Sequence, residues 1–386
     1  MKKIGILTFH KSINYGSALQ AFALLEAIKE ITEETEIEVI DYQQRNYNYI
    51  YGIYRNMQSL GDIKNNIGNT LFFNMLRKRK NAFCEFREKY LSLSKKKYQY
   101  GDDLSGLSKE YKCIVCGSDQ IWNPSATDFD INYFLPIPNC IKKIAYAVSL
   151  NSGNLRDAEN VEEIRKRIKE FDQLSVREAS GKDKLEHFLN HKDIVSVVLD
   201  PTLLHEKEFY QKISTSRFIV EPYIFFYSVN YTPYAIKAAE ILSERTGLPV
   251  YTLYSCRSVF CIRNLGGKIK IWKKNIGPKD FLSLIQYADH VVTNSFHGTA
   301  FSLIFQKNFY AIGKSSTEKK VVIDERICNI LSTLGIQKRF FTYEDIKSIP
   351  IINDIDYKKV TTNIRILSNE SIKYIKNALT MEGGDL

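Results

Sequence analysis

The chain has 386 residues, a formal net charge of +10 and 44% hydrophobic side chains, a composition that excludes intrinsic disorder and low-complexity or collagen-like sequence. At roughly 150 residues per domain, the length predicts two domains. No apolar run reaches about 18 residues, so we predict no membrane-spanning helix. We expect a cytoplasmic protein, because the sequence shows no secretory signal and has an odd number of cysteines, seven.

The first half of the sequence predicts alternating strands and helices. Strands are expected over 4–8, 37–41, 112–116, 143–149, 173–176 and 194–199, and helices over 16–30, 160–171 and 179–188. This β-α-β pattern is typical of a parallel sheet with helices on both faces. It predicts an N-terminal Rossmann-like domain over residues 1–210.

Positive charge is concentrated in residues 55–97, which contain eleven Lys or Arg and three acidic residues. Apolar residues recur there at helical spacing with basic residues between them, so the segment predicts a basic helical insertion in the first domain. Two interpretations remain open: a surface helix with a solvated basic face, or a helix that adsorbs to an anionic membrane surface. Nucleic acid is not an expected partner, because no recognised binding motif accompanies the charge.

The second half predicts a second series of elements. Strands are expected over 223–229, 250–254, 290–294 and 309–312, and helices over 233–245, 278–288, 297–305, 326–334 and 362–378. The regular alternation of apolar segments is interrupted near 204–221, so we place the second domain at 211–386. The expected fold is therefore α/β, with two Rossmann-like domains facing a cleft and the last helix crossing back to the first domain. Ligands of such sheets bind at the carboxyl ends of the strands.

The loop after the predicted strand 290–294 combines groups that suit an anion. Ser295 supplies a hydroxyl, His297 an imidazole, and the start of the following helix supplies backbone N–H groups. Gly298 would let a ligand approach the backbone closely. The alternative is an ordinary helix cap beside a structural histidine.

Cations occur at other strand and helix ends. Arg177 follows the predicted strand 173–176, and its guanidinium suits a carboxylate or phosphate; an ion pair with a nearby acid is the alternative. A second group follows the helix 297–305 and comprises Lys314, Lys319, Lys320 and Arg326. Arg326 opens a helix, where positive charge is unfavourable unless an anion compensates it.

Two loops in the first half carry polar residues. Asn14 and Tyr15 lie in a strand-to-helix turn like those that bind phosphate, although it matches no known phosphate-loop pattern. The loop after the predicted strand 112–116 contains Ser118, Asp119, Gln120 and Trp122. These residues indicate a sugar platform, with Asp119 as the best general-base candidate. No spacing of His, Cys or acidic residues predicts a metal site.

Five segments, in order within residues 4–335, resemble the polysaccharide pyruvyl transferase family. They are Gly5-Ile6-Leu7-Thr8-Phe9 with Asn14-Tyr15-Gly16; Gly117-Ser118-Asp119-Gln120-Ile121-Trp122-Asn123; Ser175-Val176-Arg177-Glu178; Leu199-Asp200-Pro201-Thr202-Leu203-Leu204; and Thr293-Asn294-Ser295-Phe296-His297-Gly298. No one segment is decisive, but five in sequence make the resemblance specific.

The resemblance implies a fold like that of the two-domain GT-B glycosyltransferases. It also implies a reaction in which phosphoenolpyruvate donates pyruvate to a sugar as a ketal. The acceptor would be a polysaccharide or its precursor carried on a polyprenyl diphosphate. An enzyme acting on that precursor would work at the inner face of the cell membrane, in peripheral contact with it.

By motif match, the resemblance assigns roles to residues of this chain. The donor-binding residues would be His297, Arg177, Ser295 and a further cation, Arg326, with Lys319 and Lys320 as alternatives to it. The acceptor-binding residues would be Asn14, Tyr15, Ser118, Asp119, Gln120 and Trp122. His297 would also deliver the catalytic proton, and Asp119 would take one from a sugar hydroxyl. Phosphoenolpyruvate is then a co-substrate, and no metal or other cofactor is expected.

Two rival functions remain. The first is a glycosyltransferase of the same fold that uses a nucleotide sugar, with the basic residues holding a diphosphate. The second is a non-enzymatic scaffold at the membrane in polysaccharide assembly, which would leave the polar strand-end loops without a purpose.

Overall fold

A computed structural model of the protein describes residues 2–32, 35–57, 59–229, 231–253, 269–272, 277–314, 323–342, 345, 349 and 355–380. The chain divides into two compact units. The first consists of Met1–Asn56, Cys84–His205 and Arg365–Leu386, and the second of Met57–Phe83 and Glu206–Ile364. The sequence pattern places the basic insertion with the N-terminal half, whereas the structure groups its first part, Met57–Phe83, with the second unit.

The first unit is built on a seven-stranded parallel sheet of order β3-β2-β1-β4-β5-β6-β7. The strands are β1 (Lys3–Leu7), β2 (Ile37–Gln43), β3 (Leu93–Gln99), β4 (Tyr111–Cys116), β5 (Lys142–Val148), β6 (Gln173–Val176) and β7 (Val195–Val197). The central strands read as continuous apolar runs because helices cover both faces of a parallel sheet. In β1, for example, every residue from Ile4 to Leu7 is buried.

The second unit is built on a six-stranded parallel sheet of order β10-β9-β8-β11-β12-β13. The strands are β8 (Ile224–Tyr227), β9 (Val250–Leu253), β10 (Lys270–Trp272), β11 (His290–Thr293), β12 (Asn308–Ile312) and β13 (Phe340–Phe341). Thr293, the last residue of β11, is in register with Tyr227 of β8 and Ala311 of β12. The carboxyl ends of these three strands therefore share one edge of the sheet.

Helices connect the strands in both units. Those up to residue 211 are α1 (Tyr15–Ile31), α2 (Tyr47–Tyr51), α3 (Leu60–Leu71), α4 (Phe73–Tyr90), α5 (Leu107–Glu110), α6 (Val161–Ile168), α7 (Ala179–Leu189) and α8 (Lys207–Gln211). Those that follow are α9 (Pro233–Thr246), α10 (Pro278–Gln286), α11 (Phe296–Ile304), α12 (Glu325–Thr333) and α13 (Tyr357–Thr380). The α/β prediction with two Rossmann-like domains is confirmed: each unit has its own parallel sheet connected by helices.

Helix α13 belongs to both units, since the division falls between residues 364 and 365. In the second unit, the Tyr357 hydroxyl donates to the carbonyl oxygen of Lys307. In the first unit, the Ser371 hydroxyl accepts from the backbone N–H of Leu199 at 2.9 Å, and the Ser368 hydroxyl donates to the Leu204 carbonyl at 3.2 Å. The prediction that the last helix returns to the first domain is confirmed.

The helical prediction for residues 55–97 is wrong at its end. Residues Leu93–Gln99 form β3, the edge strand of the first sheet, and Lys95, Lys96 and Lys97 are exposed on it. Lysines are common on edge strands because they discourage pairing with another chain. These three cations therefore have a structural explanation that does not involve a ligand.

Candidate active site

Polar side chains gather at the carboxyl ends of strands in both units. In the first unit, Arg177 directly follows β6. Its Nη1 donates to Asp200 Oδ2 at 2.6 Å and its Nη2 donates to Asp119 Oδ1 at 3.0 Å, while its Nε lies 3.9 Å from Glu178 Oε2. The Arg177 side chain is 1% exposed. One guanidinium thus lies among three carboxylates.

Asp119 is held in this cluster by local backbone geometry. Its φ of 76° lies in the left-handed region, and Gly117, two residues earlier in the sequence, has a φ of 131°. A Cβ atom at Gly117 would overlap the carbonyl oxygen of Tyr146, so this position requires glycine. The tight turn directs the Asp119 carboxylate to Arg177 and to the Ser17 hydroxyl, which donates to Asp119 Oδ2 at 2.6 Å.

Three other predicted acceptor residues lie near this cluster or support it. The Ser118 hydroxyl donates to the Ala147 carbonyl at 2.8 Å and contacts Asp200 Oδ2 at 3.3 Å. Asn14 caps α1, since its Oδ1 accepts from two backbone N–H groups at the start of that helix. Gln120 is half-buried, with its Oε1 accepting from the side-chain amide of Asn151 at 3.2 Å.

Three predicted site residues have different roles in the structure. Trp122 is completely buried: its Nε1 donates to the Tyr133 carbonyl at 3.0 Å and its ring stacks on Phe134, so no sugar can reach it. Tyr15 is also buried. The guanidinium of Arg177, which the resemblance assigns to the donor, is enclosed and contacts carboxylates, as in the ion-pair alternative.

Sequence reasoning missed two polar groups, one formed by residues after β1 with a carboxylate of β2, and one in the loop after β4. His10 is buried, with its Nε2 3.3 Å from Asp41 Oδ1, and the Lys11 ammonium lies 2.6 Å from the same oxygen. Burial opposes ionisation of Asp41, yet its hydrogen bonds from His10 and Lys11 hold the pKa of that carboxyl well below its usual range. The position of His10 just after a predicted strand was the signal that could have found this group.

The second missed group is a carboxyl in the long loop after β4. The Tyr51 hydroxyl donates to Asp128 Oδ2 at 3.1 Å. Burial raises the pKa of the Asp128 carboxyl, and the negative charge of Asp119 raises it further. Asp128 as a whole residue is half-buried. No sequence pattern marks it, because it lies outside any regular element.

In the second unit, the end of β11 leads directly into α11. Ser295 is the N-cap of that helix, and its Oγ accepts from the Gly298 backbone N–H at 3.4 Å. Thr293 Oγ1 accepts from the Ser295 backbone N–H at 3.0 Å, which fixes the turn. His297 lies in the first turn of α11 and is largely buried. Both residues are therefore at the positive end of the helix dipole.

The role of Gly298 differs from the one expected. A Cβ atom at this position would overlap Thr293 Oγ1 and would lie 3.0 Å from Thr293 Cβ. The missing side chain thus makes room for Thr293, and the structure explains this glycine by packing between strand and helix rather than by close approach of a ligand.

Arg326 and His297 both contact the aromatic ring of Phe296. The Arg326 guanidinium carbon is 5.7 Å from the centroid of the Phe296 ring, and the His297 ring packs edge-on against the same ring at 5.2 Å. The start of α12 is thereby brought next to the start of α11. Ser295 and His297 at the start of α11 and Arg326 at the start of α12 therefore lie in one region of the second unit.

Arg326 is part of a group with two cations and one acid. Asp324 accepts from Arg326 Nε at 2.8 Å and Nη2 at 2.7 Å, and also from Lys314 Nζ at 2.6 Å. Burial opposes ionisation of Asp324, but the two cations outweigh it and hold its pKa well below the usual range. Burial lowers the pKa of Lys314, opposed by the attraction of Asp324. Lys319 and Lys320 lie outside the described residues.

The two clusters therefore differ in the sign of their charge. Around Arg177, three carboxylates surround one cation. Around Asp324, two cations share one carboxylate, and the positive ends of α11 and α12 lie beside them. The first arrangement suits neutral ligands that donate hydrogen bonds, such as hydroxyl groups, and the second suits an anion.

Within the described part of the chain, no group of three or more His, Cys, Asp or Glu side chains could hold a metal ion. None of the helices in those same residues is long and apolar enough to cross a membrane.

Three of the solved structures with a similar fold illustrate the likeness. S. aureus MnaA, in a co-structure with UDP, has a TM-score of 0.54 and 11% sequence identity, with 100% of both chains covered. A putative UDP-N-acetylglucosamine 2-epimerase from Listeria monocytogenes has a TM-score of 0.52 and 11% identity, with 98% of this chain and 97% of that chain covered. The UDP-GlcNAc 2-epimerase from Methanocaldococcus jannaschii has a TM-score of 0.50 and 14% identity, with 96% of this chain and 100% of that chain covered. At these identities the likeness shows the fold alone, and it confirms a GT-B-like arrangement of elements.

The sequence itself matches one family. A comparison with curated proteins finds no match. Residues 14–316, more than three quarters of the chain, match the polysaccharide pyruvyl transferase family. This match includes the loops that carry Asp119, Arg177 and His297, and it confirms the resemblance drawn from the five segments. The chain is a transferase that belongs to the polysaccharide pyruvyl transferase family.

Proposed function

We propose that the protein transfers pyruvate from phosphoenolpyruvate to a sugar of a polysaccharide, or of its lipid-linked precursor, as a ketal. The observation that carries this proposal is the group of Lys314, Arg326 and His297 beside the starts of two helices. Phosphoenolpyruvate carries a carboxylate and a phosphate. A site with two cations, one acid and two helix N-termini has the charge to bind such a ligand.

Each donor-site residue has a distinct role in this proposal. Arg326 presents its guanidinium to one anionic group of the donor, and the backbone N–H groups after Ser295 contact the other. Lys314, which was not among the preferred donor residues from sequence, adds a second positive charge. Asp324 holds both cations in place, and its position between them keeps the pair from repelling each other.

The chemistry needs one proton delivered to the donor. His297 protonates the methylene carbon of phosphoenolpyruvate, which becomes the methyl group, and the adjacent carbon becomes an oxocarbenium-like centre. A sugar hydroxyl attacks that centre and loses its proton. The C–O bond to phosphate then breaks, a second hydroxyl of the same sugar closes the ketal ring, and the departing phosphate takes up the proton of that hydroxyl. The sum is one donor and one diol giving one ketal and one phosphate.

The acceptor side of the proposal uses the carboxylate cluster of the first unit. Asp119, Ser118 and Gln120 provide groups that bind hydroxyls, and Asp119 takes the proton from the attacking hydroxyl. Arg177 acts here as a positioning residue, because its guanidinium holds Asp119 and Asp200. Trp122 and Tyr15 are left out, since they are buried in the core.

The location of the donor site is tested by isothermal titration calorimetry with phosphoenolpyruvate. Wild-type protein should bind one equivalent, and Arg326→Ala and Lys314→Ala should each weaken binding by about tenfold or more, the usual effect of losing a charge-assisted hydrogen bond. The exposed Lys338 of the same unit gives a matched control, Lys338→Ala, which should bind as the wild type does. Unchanged affinity in both site variants would contradict this site.

A further inference from the structure

An apolar stripe lies exposed along α3 and consists of Leu60, Ile63, Ile67 and Leu71. Spacings of three and four residues place these side chains on one face of the helix. Their exposed fractions are 79%, 41%, 61% and 76%, and Met57, just before the helix, is 73% exposed. Of the twelve large hydrophobic side chains that are exposed among the described residues, five lie between residues 57 and 71.

The orientation of α3 is the reverse of that of an ordinary surface helix. Asp62 is 2% exposed and Gly68 is buried, whereas the apolar stripe faces solvent. Asn66 and Asn69 are half-buried. A surface helix normally turns its apolar side to the core and its polar side to water. The apolar stripe is therefore a surface available to a partner, since an exposed patch of this kind commonly marks an interaction site.

The segment that contains the apolar stripe is basic. Within Met57–Phe83, the five cations Lys64, Arg77, Lys78, Arg79 and Lys80 face a single acid, the buried Asp62. Lys64 lies on α3 itself, and Arg77 and Lys78 are exposed on α4. A partner that is apolar where it meets the stripe and that also carries negative charge would suit this segment.

We propose that α3 lies in the surface of an anionic lipid bilayer, with the apolar stripe among the acyl chains and the neighbouring cations on the headgroups. Basic helices with an apolar face bind at this depth of a membrane. A second copy of the chain fits less well, because pairing two stripes would bring two basic segments together. This inference does not rest on the proposed function and concerns a different part of the molecule.

The test is co-sedimentation with vesicles of phosphatidylcholine alone or of an equimolar mixture of phosphatidylcholine and phosphatidylglycerol. The wild-type protein should bind the mixed vesicles and not the neutral ones, and high salt should weaken binding. Ile67→Ser and Leu71→Ser should each weaken it by roughly tenfold, the expected effect of losing one buried aliphatic side chain. Arg77→Gln and Lys78→Gln should each weaken binding to the mixed vesicles by about fivefold, the contribution of one cation near an anionic surface.

Control variants distinguish binding through the apolar stripe from non-specific adsorption to vesicles. Val220, 83% exposed in the same unit, gives the control Val220→Ser, which should bind as the wild type does. Ile67→Trp should show blue-shifted fluorescence on mixed vesicles. Absence of binding to mixed vesicles would overturn the proposal. So would binding unaffected by Ile67→Ser and Leu71→Ser, or sedimentation equilibrium showing a dimer that the same substitutions abolish.

Discussion

Asp324 is the residue on which the proposed donor site most depends, because its one carboxylate contacts both Lys314 and Arg326. A carboxyl in this position stabilises the folded state through the charge it carries. It also sets the spacing of the two cations, and it leaves them a net positive charge for a ligand. These effects can be separated by pH and by substitution.

Acid should weaken the fold partly through Asp324. Its pKa in the folded state lies below the ordinary value of 3.8, so its stabilising contribution is present above that value and is lost as the pH falls below it. We expect the free energy of unfolding, measured by urea denaturation between about pH 5 and pH 3, to fall less steeply in Asp324→Asn than in the wild type. Equal slopes would contradict the assigned ion pairs.

His297→Ala should fold normally and lose turnover. If His297 delivers the proton to the donor, its removal should lower kcat by about 10²- to 10⁴-fold, the usual contribution of a general acid. The measurement is the rate of phosphate release from phosphoenolpyruvate in the presence of acceptor, with a thermal unfolding curve as the check on folding. His191→Ala, at an exposed histidine, is the control, and wild-type turnover in His297→Ala would remove this residue from the mechanism.

Arg177→Ala should destabilise the protein more than it weakens donor binding. Removing the guanidinium leaves Asp119 and Asp200 buried without their cation, a change that costs about 3–5 kcal/mol. Urea denaturation measures the loss, with the exposed Arg156→Ala as control. A small loss of stability combined with a large rise in the KM for phosphoenolpyruvate would instead restore Arg177 as a donor-binding residue.

At the scale of elements, the junction between β11 and α11 positions His297 through close packing. Gly298→Ala would place a methyl group against Thr293, and overpacking of this kind costs about 1–3 kcal/mol. In a Thr293→Ala background the same substitution should cost less, because the overlapping oxygen is absent. A double-mutant cycle measured by urea denaturation tests this coupling. Additive losses would show that Thr293 is not what requires glycine here.

Elements with strong local signals were predictable from sequence. Helix α9 begins at Pro233 and ends before Gly247, whose φ of 71° is the left-handed conformation that glycine adopts at helix ends. The short strands β10 and β13 were not predicted, since three and two residues are too few to show a period. In β3 the run of lysines hid the alternation, because an edge strand tolerates charge on its exposed face.

The site was predictable only where the strand-end rule applies. Ser295 and His297 follow a strand and open a helix that both have strong sequence patterns, so the sequence predicted their position at a strand end. The partners of Arg177 were not evident, because Asp119 and Asp200 lie 58 and 23 residues away in sequence. A sequence shows a cation at a strand end but not which carboxylates the fold brings to it.

At the scale of the whole molecule, the polar groups at the strand ends of the two units differ in their balance of charge. The first unit offers carboxylates and hydroxyls, and the second offers cations at helix starts. The proposed function, which joins an anionic donor to a polyhydroxyl acceptor, needs both kinds of site. This division of charge between the two units is the basis for assigning the donor to the second.

The most direct test of the donor's identity is thermal denaturation with phosphoenolpyruvate compared with UDP-sugars. A ligand that binds the folded state alone stabilises it by about 2.7 kcal/mol at 100 times its Kd. We predict that phosphoenolpyruvate raises the melting temperature, that UDP-sugars do not, and that Arg326→Ala loses the rise. A rise with a UDP-sugar and none with phosphoenolpyruvate would contradict the account and favour a nucleotide-sugar transferase on the same fold.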